Sequence, residues 1–135
     1  MAKAKKILVD ADALVALAKP DDSNHKKALK IAKKIKHSAL FITPFTIPEA
    51  ATVISYRVSQ KAAKTFLKAA RERNLVELSL TTQAVKSADE IFLSQKRKGT
   101  SWIDCLNVTM VKIHSLDGIF SFDKFYSRVG IKLIN

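Results

Sequence analysis

The sequence predicts an α/β fold: a three-layer α/β/α sandwich around a mainly parallel sheet of about five strands. Three observations predict it. Short apolar runs bounded by turn residues alternate with longer stretches of helical period. Strands alternating with helices build βαβ units, and so a parallel sheet. The handedness of such crossovers puts helices on both faces. No repeat, low-complexity tract or linker interrupts the pattern, so residues 1–135 read as one domain.

Lys6 to Val9 is the first expected strand. Asp12 is placed to cap a helix running to about Lys19, where Pro20 stops it. Asp21 to His37 is expected to be an amphipathic helix, with Ala28, Ile31, Ala32 and Ile35 inward and Lys26, Lys30, Lys33 and Lys34 outward. Leu40 to Ile42 is a second strand, closed by Thr43-Pro44. Thr46 to about Arg57 is a helix with Ile47, Ala50, Ala51, Ile54 and Val58 on its inner face. Gln60 to Arg73 is another, with Ala63, Phe66, Leu67 and Ala70 inward. Leu75 to Leu78 is the third strand. Thr81 or Thr82 caps a helix to about Gln95, and Lys96-Arg97-Lys98-Gly99 makes a basic turn. Ser101 to His114 is a helix with Ile103, Leu106, Met110 and Ile113 inward. Gly118 to Ser121 and Ile131 to Ile134 supply the fourth and fifth strands.

Hydrophobic residues make up 47% of the chain, enough for a proper core. The unusual quantity is net charge: 24 lysines and arginines against 12 acids give +12. Such a balance favours an anionic partner, nucleic acid first and a membrane surface second. The lone cysteine, Cys105, excludes an intrachain disulfide and fits a reducing compartment. No stretch approaches the roughly 18 apolar residues of a membrane span. The basic start Met1 to Lys6 meets Asp10 and Asp12 too soon to lead a signal segment, so the expected location is cytoplasmic.

Against that basic background, acids stand where local elements change character. Asp10 ends the run Ile7-Leu8-Val9, and Asp123 follows Ile119-Phe120-Ser121-Phe122. Glu49 opens one helix and Asp104 another. In an open parallel sheet, strand ends and helix starts meet at the edge where ligands bind. Each acid also has a local explanation. Thr46-x-x-Glu49 matches a capping box and Ser101-x-x-Asp104 a variant of it. Acids in a first turn suit the helix dipole, and Asp10 and Asp123 can form turns. Together, however, four acids at one edge repel one another unless a cation lies between them. Hard oxygen donors and few histidines favour Mg²⁺ or Mn²⁺ over Zn²⁺.

Four ordered motifs carry a resemblance. They are Ile7-Leu8-Val9-Asp10-Ala11-Asp12-Ala13-Leu14, Thr46-Ile47-Pro48-Glu49-Ala50-Ala51, Ser101-Trp102-Ile103-Asp104-Cys105-Leu106 and Phe120-Ser121-Phe122-Asp123-Lys124-Phe125, the last followed by Gly130 and an apolar end. Asp22-x-x-His25-x-x-Ala28 also recurs in such proteins. The chain, over essentially its whole length, resembles PIN-domain ribonucleases of the VapC toxin type. The resemblance implies RNA cleavage with Mg²⁺ or Mn²⁺, silencing by a small antitoxin, and a homodimer. It implies that Asp10, Glu49, Asp104 and Asp123 form the catalytic, metal-holding set, with Asp10 and Asp104 as the direct ligands. Three positions depart from the family pattern: Asp12 replaces a small hydroxyl or Asn, Ser121 a threonine, and Lys124 an occasional acid. These departures bear on how many metals bind, and Asp12 joins Asn107 and Ser121 as a candidate supporting residue of the site.

Further residues have two readings each. Asn107, one turn after Asp104, either orients a ligand or bonds within the core. Ser121 either supports Asp123 or a phosphate, or is a plain strand-end hydroxyl. Lys96, Arg97 and Lys98 precede the Asp104 helix and are candidate RNA-backbone contacts; the face of Lys26, Lys30, Lys33 and Lys34 reads as a solvated one or as one that meets another molecule. Cys105 reads as a buried thiol, His25 as a packing or capping residue, His37 and His114 as helix-end residues, and Trp102 as packing near its helix start.

Two other functions compete. Asp10-x-Asp12 after a strand resembles the nucleophile motif of haloacid-dehalogenase-like phosphatases, although the chain is short for that fold and its charge is left unexplained. A non-catalytic RNA-binding or partner-binding module of the same fold would retain RNA without cutting it. A signalling receiver is excluded, since the third strand ends without an aspartate.

Overall fold

The computed structural model describes residues 4–135; of the basic N-terminal run, Met1, Ala2 and Lys3 lie outside the described residues. The sheet is built from β1 (Lys6–Val9), β2 (Ala39–Ile42), β3 (Val76–Glu77) and β4 (Gly118–Phe120), in the order β3-β2-β1-β4. Every pairing is parallel. The helices are α1 (Ala11–Ala18), α2 (His25–Lys34), α3 (Thr46–Arg57), α4 (Gln60–Glu72), α5 (Thr82–Ser94), α6 (Trp102–Ile113) and the short α7 (Phe125–Arg128).

The alternation of side chains along β1 divides the core in two. Ile7 and Val9 face one apolar cluster with residues of α1, α2, α3 and α4. Leu8 faces the other, with Cys105, Leu106, Val108 and Met110 of α6, Ala84 and Ala88 of α5, and Phe125 and Tyr126 of α7. The sandwich thus has the expected three layers.

The fifth strand does not form. After α7, Gly130 turns the chain at φ +84, and Ile131 to Ile134 meets β4 in one isolated bridge, Ile119 with Leu133. The Ile119 amide donates to the Lys132 carbonyl and the Ile134 amide to that of Ile119, both at 2.9 Å, with no further ladder. Gly118 permits this close approach: a Cβ there would lie 2.6 Å from the Lys132 carbonyl oxygen.

Several boundaries shift for identifiable reasons. α1 is capped by Asp10, not Asp12; the Asp10 side chain accepts the Ala11 amide while its backbone is extended. α2 starts at His25 rather than Asp21, because the Asp22 side chain accepts the Asn24 amide at 2.8 Å and holds a turn before the helix. His25 Nδ1 lies 2.7 Å from the Ala16 carbonyl oxygen, tying α2 to α1. Thr46 is not the cap of α3. Its hydroxyl accepts the Thr43 amide at 3.1 Å, and Phe45 occupies the cap position with no side-chain bond. The capping box at Ser101 and Asp104 does form. Three apolar side chains expected inward lie at the surface instead: Val58 (50% exposed), Leu67 (38%) and Ile113 (41%), each at or near the margin of its helix's buried stripe.

Candidate metal centre

β1 and β4 run in register, Val9 opposite Phe120, so the residues that follow them emerge side by side. Those residues are Asp10 and Ser121. The Asp10 amide donates to the Phe120 carbonyl at 3.0 Å, which closes the sheet at its carboxyl edge. The N-terminus of α1 starts from this point, and the first turns of α3 and α6 bring Glu49 and Asp104 to it. The sheet-edge rule accounts for the convergence.

Asp10 is the centre of the arrangement and is buried (6% exposed). Its Oδ1 accepts the Ala11 amide at 2.8 Å and the Asn107 amide group at 3.3 Å. Its Oδ2 accepts the Ser121 hydroxyl at 2.8 Å and the Tyr126 hydroxyl at 3.1 Å. The Tyr126 hydroxyl also lies 3.1 Å from Asp104 Oδ1 and accepts from Asn107 Nδ2 at 2.9 Å. The Ser121 oxygen lies 3.2 Å from Asp12 Oδ2, which accepts the Phe122 amide at 3.0 Å. Asp123 Oδ1 accepts the Phe125 amide at 2.9 Å, and the Asp123 amide donates to the Ser121 hydroxyl oxygen at 3.1 Å.

This network has too few protons. The Ser121 hydroxyl has one proton and touches two carboxylates. The Tyr126 hydroxyl also has one and touches two. Buried Asp12 Oδ1 and Asn107 Oδ1 have no partner. The acids therefore hold protons more tightly than usual. Burial raises the Asp10 carboxyl above the ordinary carboxylate range, and the charge of Asp104 adds to it. Burial and then Asp10 push Asp12 up to about 7. Glu49 is raised by burial and by Asp10 and Asp104; Asp104 is raised by burial and by Asp123. Burial foremost lifts the Tyr126 phenol well above its ordinary value, so it stays a donor.

Such a set fits a divalent cation. All its free donors are hard oxygens, and the positive charge it lacks is the charge a cation would bring. Among the described residues no three acids converge closely enough to enclose an ion by themselves. Mg²⁺ accepts such a site, since it keeps several waters and binds through one or two carboxylates.

The expected set Asp10, Glu49, Asp104 and Asp123 thus meets at one edge, with Asn107 and Ser121 bonded to Asp10. Asp12, expected both to cap α1 and to support the site, does not cap the helix and is a buried member of the cluster. Lys96, Arg97 and Lys98 are exposed in the turn between α5 and α6 and make no hydrogen bond or ion pair with the acids among the described residues. Cys105 is buried, its thiol raised by burial and then by Asp104, which suits packing and not nucleophilic attack. The Trp102 ring packs edge-on to Phe45 and donates to Asp89 at 2.7 Å. The residue that sequence reasoning missed is Tyr126. Its one available signal was a tyrosine inside an apolar pair, since a buried phenol needs a polar partner.

Two depressions flank the acids. One, of about 280 Å³, is lined by Asp12, Asp22, Glu49 and Arg57 among others. The other, of about 460 Å³, runs from Ser121 and Phe122 along α2.

A search of the curated proteins finds no match. Among solved structures, the chain is similar to the VapC20 toxin of Mycobacterium tuberculosis, described as cleaving the sarcin–ricin loop. The TM-score is 0.83 at 17% identity, covering 93% of this chain and 96% of that one. It is also similar to a chain of VapBC2 from Rickettsia felis, solved bound to a promoter DNA fragment. There the TM-score is 0.68 at 11% identity, covering 96% and 97%. A family model, the PIN domain, matches residues 7–132. The parallel sheet, the acids at its carboxyl edge and a family match spanning nearly the whole chain make this protein a member of the PIN-domain family.

Proposed function

We propose that this protein is a metal-dependent endoribonuclease and the toxin of a toxin–antitoxin pair. The observation that carries the reading is the proton-deficient acid cluster on a chain of charge +12. Basic surface draws an RNA strand in, and the acids hold what the strand's phosphate needs. Asp10 and Asp104 are the direct ligands of Mg²⁺ or Mn²⁺, with Glu49, Asp123 and Asp12 reached directly or through water. A divalent ion bound there supplies an activated water and neutralises charge on the scissile phosphate. Asn107, Ser121 and Tyr126 fix the Asp10 carboxylate from both sides, so that it does not have to be ordered when substrate arrives. No side-chain nucleophile is required.

The phosphatase reading has no support beyond Asp10-x-Asp12, since the PIN-domain model matches residues 7–132. An antitoxin and a second copy of this chain complete the reading as partners. The support for the antitoxin is the likeness to a VapBC2 chain.

The test is cleavage of a labelled single-stranded RNA with Mg²⁺ or Mn²⁺ and with excess EDTA, beside Asp10→Asn and Asp104→Asn. Cutting that needs the metal and both carboxylates supports the nuclease. Undiminished cutting by both variants refutes the mechanism. Retention of total cellular RNA without cutting points to the non-catalytic module instead.

A further inference from the structure

The depression that runs from Ser121 along α2 has a lining suited to one class of ligand. Lys27, Lys30 and Lys34 stand along one edge, at the spacing that puts residues on a single face of the helix. Ile31, Phe122 and Ile134 supply apolar surface. The sequence pattern treats the α2 lysines as one face, solvated or meeting another molecule. The structure separates them: Lys27, Lys30 and Lys34 line the groove, while Lys26, Lys33 and Lys36 do not. No carboxylate among the described residues pairs with any of the three groove lysines. Lys34 makes one contact, to the Asn135 carbonyl at 3.2 Å. Free ammonium groups beside an apolar and aromatic floor are what single-stranded nucleic acid uses: charges for the backbone and a ring face or edge for a base. Phe122 is half-buried, its ring held edge-on by Phe120 at 6.0 Å.

The position of the groove decides the partner. It begins at Ser121, whose hydroxyl bonds to Asp10 at the centre of the acid cluster. It then extends over the eight residues from Lys27 to Lys34, roughly 10 Å of helix. That length exceeds a single phosphate, and an acidic peptide has no reason to start at a cluster of carboxylates. We propose that the α2 groove holds the RNA strand on one side of the scissile phosphate, with Lys27, Lys30 and Lys34 contacting successive backbone phosphates and Phe122 meeting a base. The proposal rests on the nuclease reading and assigns that site its substrate path.

The experiment compares two triple variants of equal charge: Lys27→Gln/Lys30→Gln/Lys34→Gln in the groove and Lys26→Gln/Lys33→Gln/Lys36→Gln off it. All six lysines are exposed, so both should fold as the parent does. Binding of a labelled single-stranded oligoribonucleotide is measured in EDTA against salt, and cleavage kinetics in Mn²⁺. Each phosphate contact contributes about 0.7 to the slope of log K against log salt for single strands. The groove variant is expected to lose about two from that slope and to raise KM about tenfold with kcat little changed. The off-groove variant should keep the parent slope within about 0.5. Equal effects in both variants, or a parent-like slope in the groove variant, overturn the proposal. So does a groove variant that cuts RNA normally but loses an acidic protein partner. A parent that binds RNA without cutting it removes the nuclease reading alone, because the salt slope still decides the groove. A parent that binds no RNA removes both.

Discussion

Changing Tyr126 to Phe removes one oxygen and leaves the ring, which packs edge-on to Phe125 at 5.3 Å and is fully buried. The core volume is nearly conserved, so the effect falls on the hydrogen bonds. Asp104 Oδ1 loses its donor, while Asp10 Oδ2 keeps Ser121. Asn107 Nδ2 keeps only its 3.3 Å contact to Asp10. A hydrogen bond to a charged group contributes about 1.5–3 kcal/mol. Loss of an outer partner of a metal ligand costs roughly 10–100-fold in metal affinity, which is about 1.4–2.8 kcal/mol. The two figures agree because they describe the same freedom: the Asp104 carboxylate is no longer held beside Asp10. The assay is calorimetric titration of Mn²⁺ into parent and variant, with melting in EDTA to show that both are folded. The expected result is a Kd raised at least about tenfold and a stability loss of about 1–2 kcal/mol. A folded variant whose Mn²⁺ affinity stays within twofold of the parent would falsify the claim that this phenol organises the acids.

Other predictions concern the same centre and the sheet that carries it. Without metal, stability should fall as pH rises from about 4 to about 7, by up to about 4 kcal/mol, because folded Asp12 binds its proton at about 7 and unfolded Asp12 at 3.8. Thermal melts in EDTA between pH 5 and 8 check this, and a flat profile contradicts it. Asp12→Asn should be more stable than the parent at pH 8 in EDTA and should lose most of that slope; an unchanged slope would assign it to another acid. Saturating Mn²⁺ should remove the pH dependence in the parent, since the cation replaces the protons. Gly118→Ala should destabilise by about 1–3 kcal/mol through the 2.6 Å clash with the Lys132 carbonyl, measured by urea unfolding.

Much of the site was legible because its acids follow local rules. Asp10 ends an apolar run, and Asp104 lies in a capping box that the structure contains. Strand β1 and helix α3 fall where periodicity places them. What the sequence did not disclose depends on contacts between distant residues. Tyr126 lies 116 residues from Asp10, and its own phenol in an apolar setting is the one local sign of a polar role. Asp12 reads as a cap because it precedes a helical pattern, yet Asp10 is held extended by the Phe120 carbonyl and takes the cap first. The fifth strand failed for a similar reason: an apolar end segment reads as a strand, but after the turn at Gly130 it meets β4 in a single bridge, at the close approach that Gly118 permits.

Asp10 joins parts of the chain that are made far apart in time. Its side chain needs Asn107, Ser121 and Tyr126, at separations of 97, 111 and 116 residues. Contacts of that span form late in folding. A growing polypeptide therefore carries the first acid from its earliest residues but has no assembled centre until Tyr126 has left the ribosome. On the nuclease reading proposed above, activity then belongs to the finished fold and not to any shorter piece of the chain.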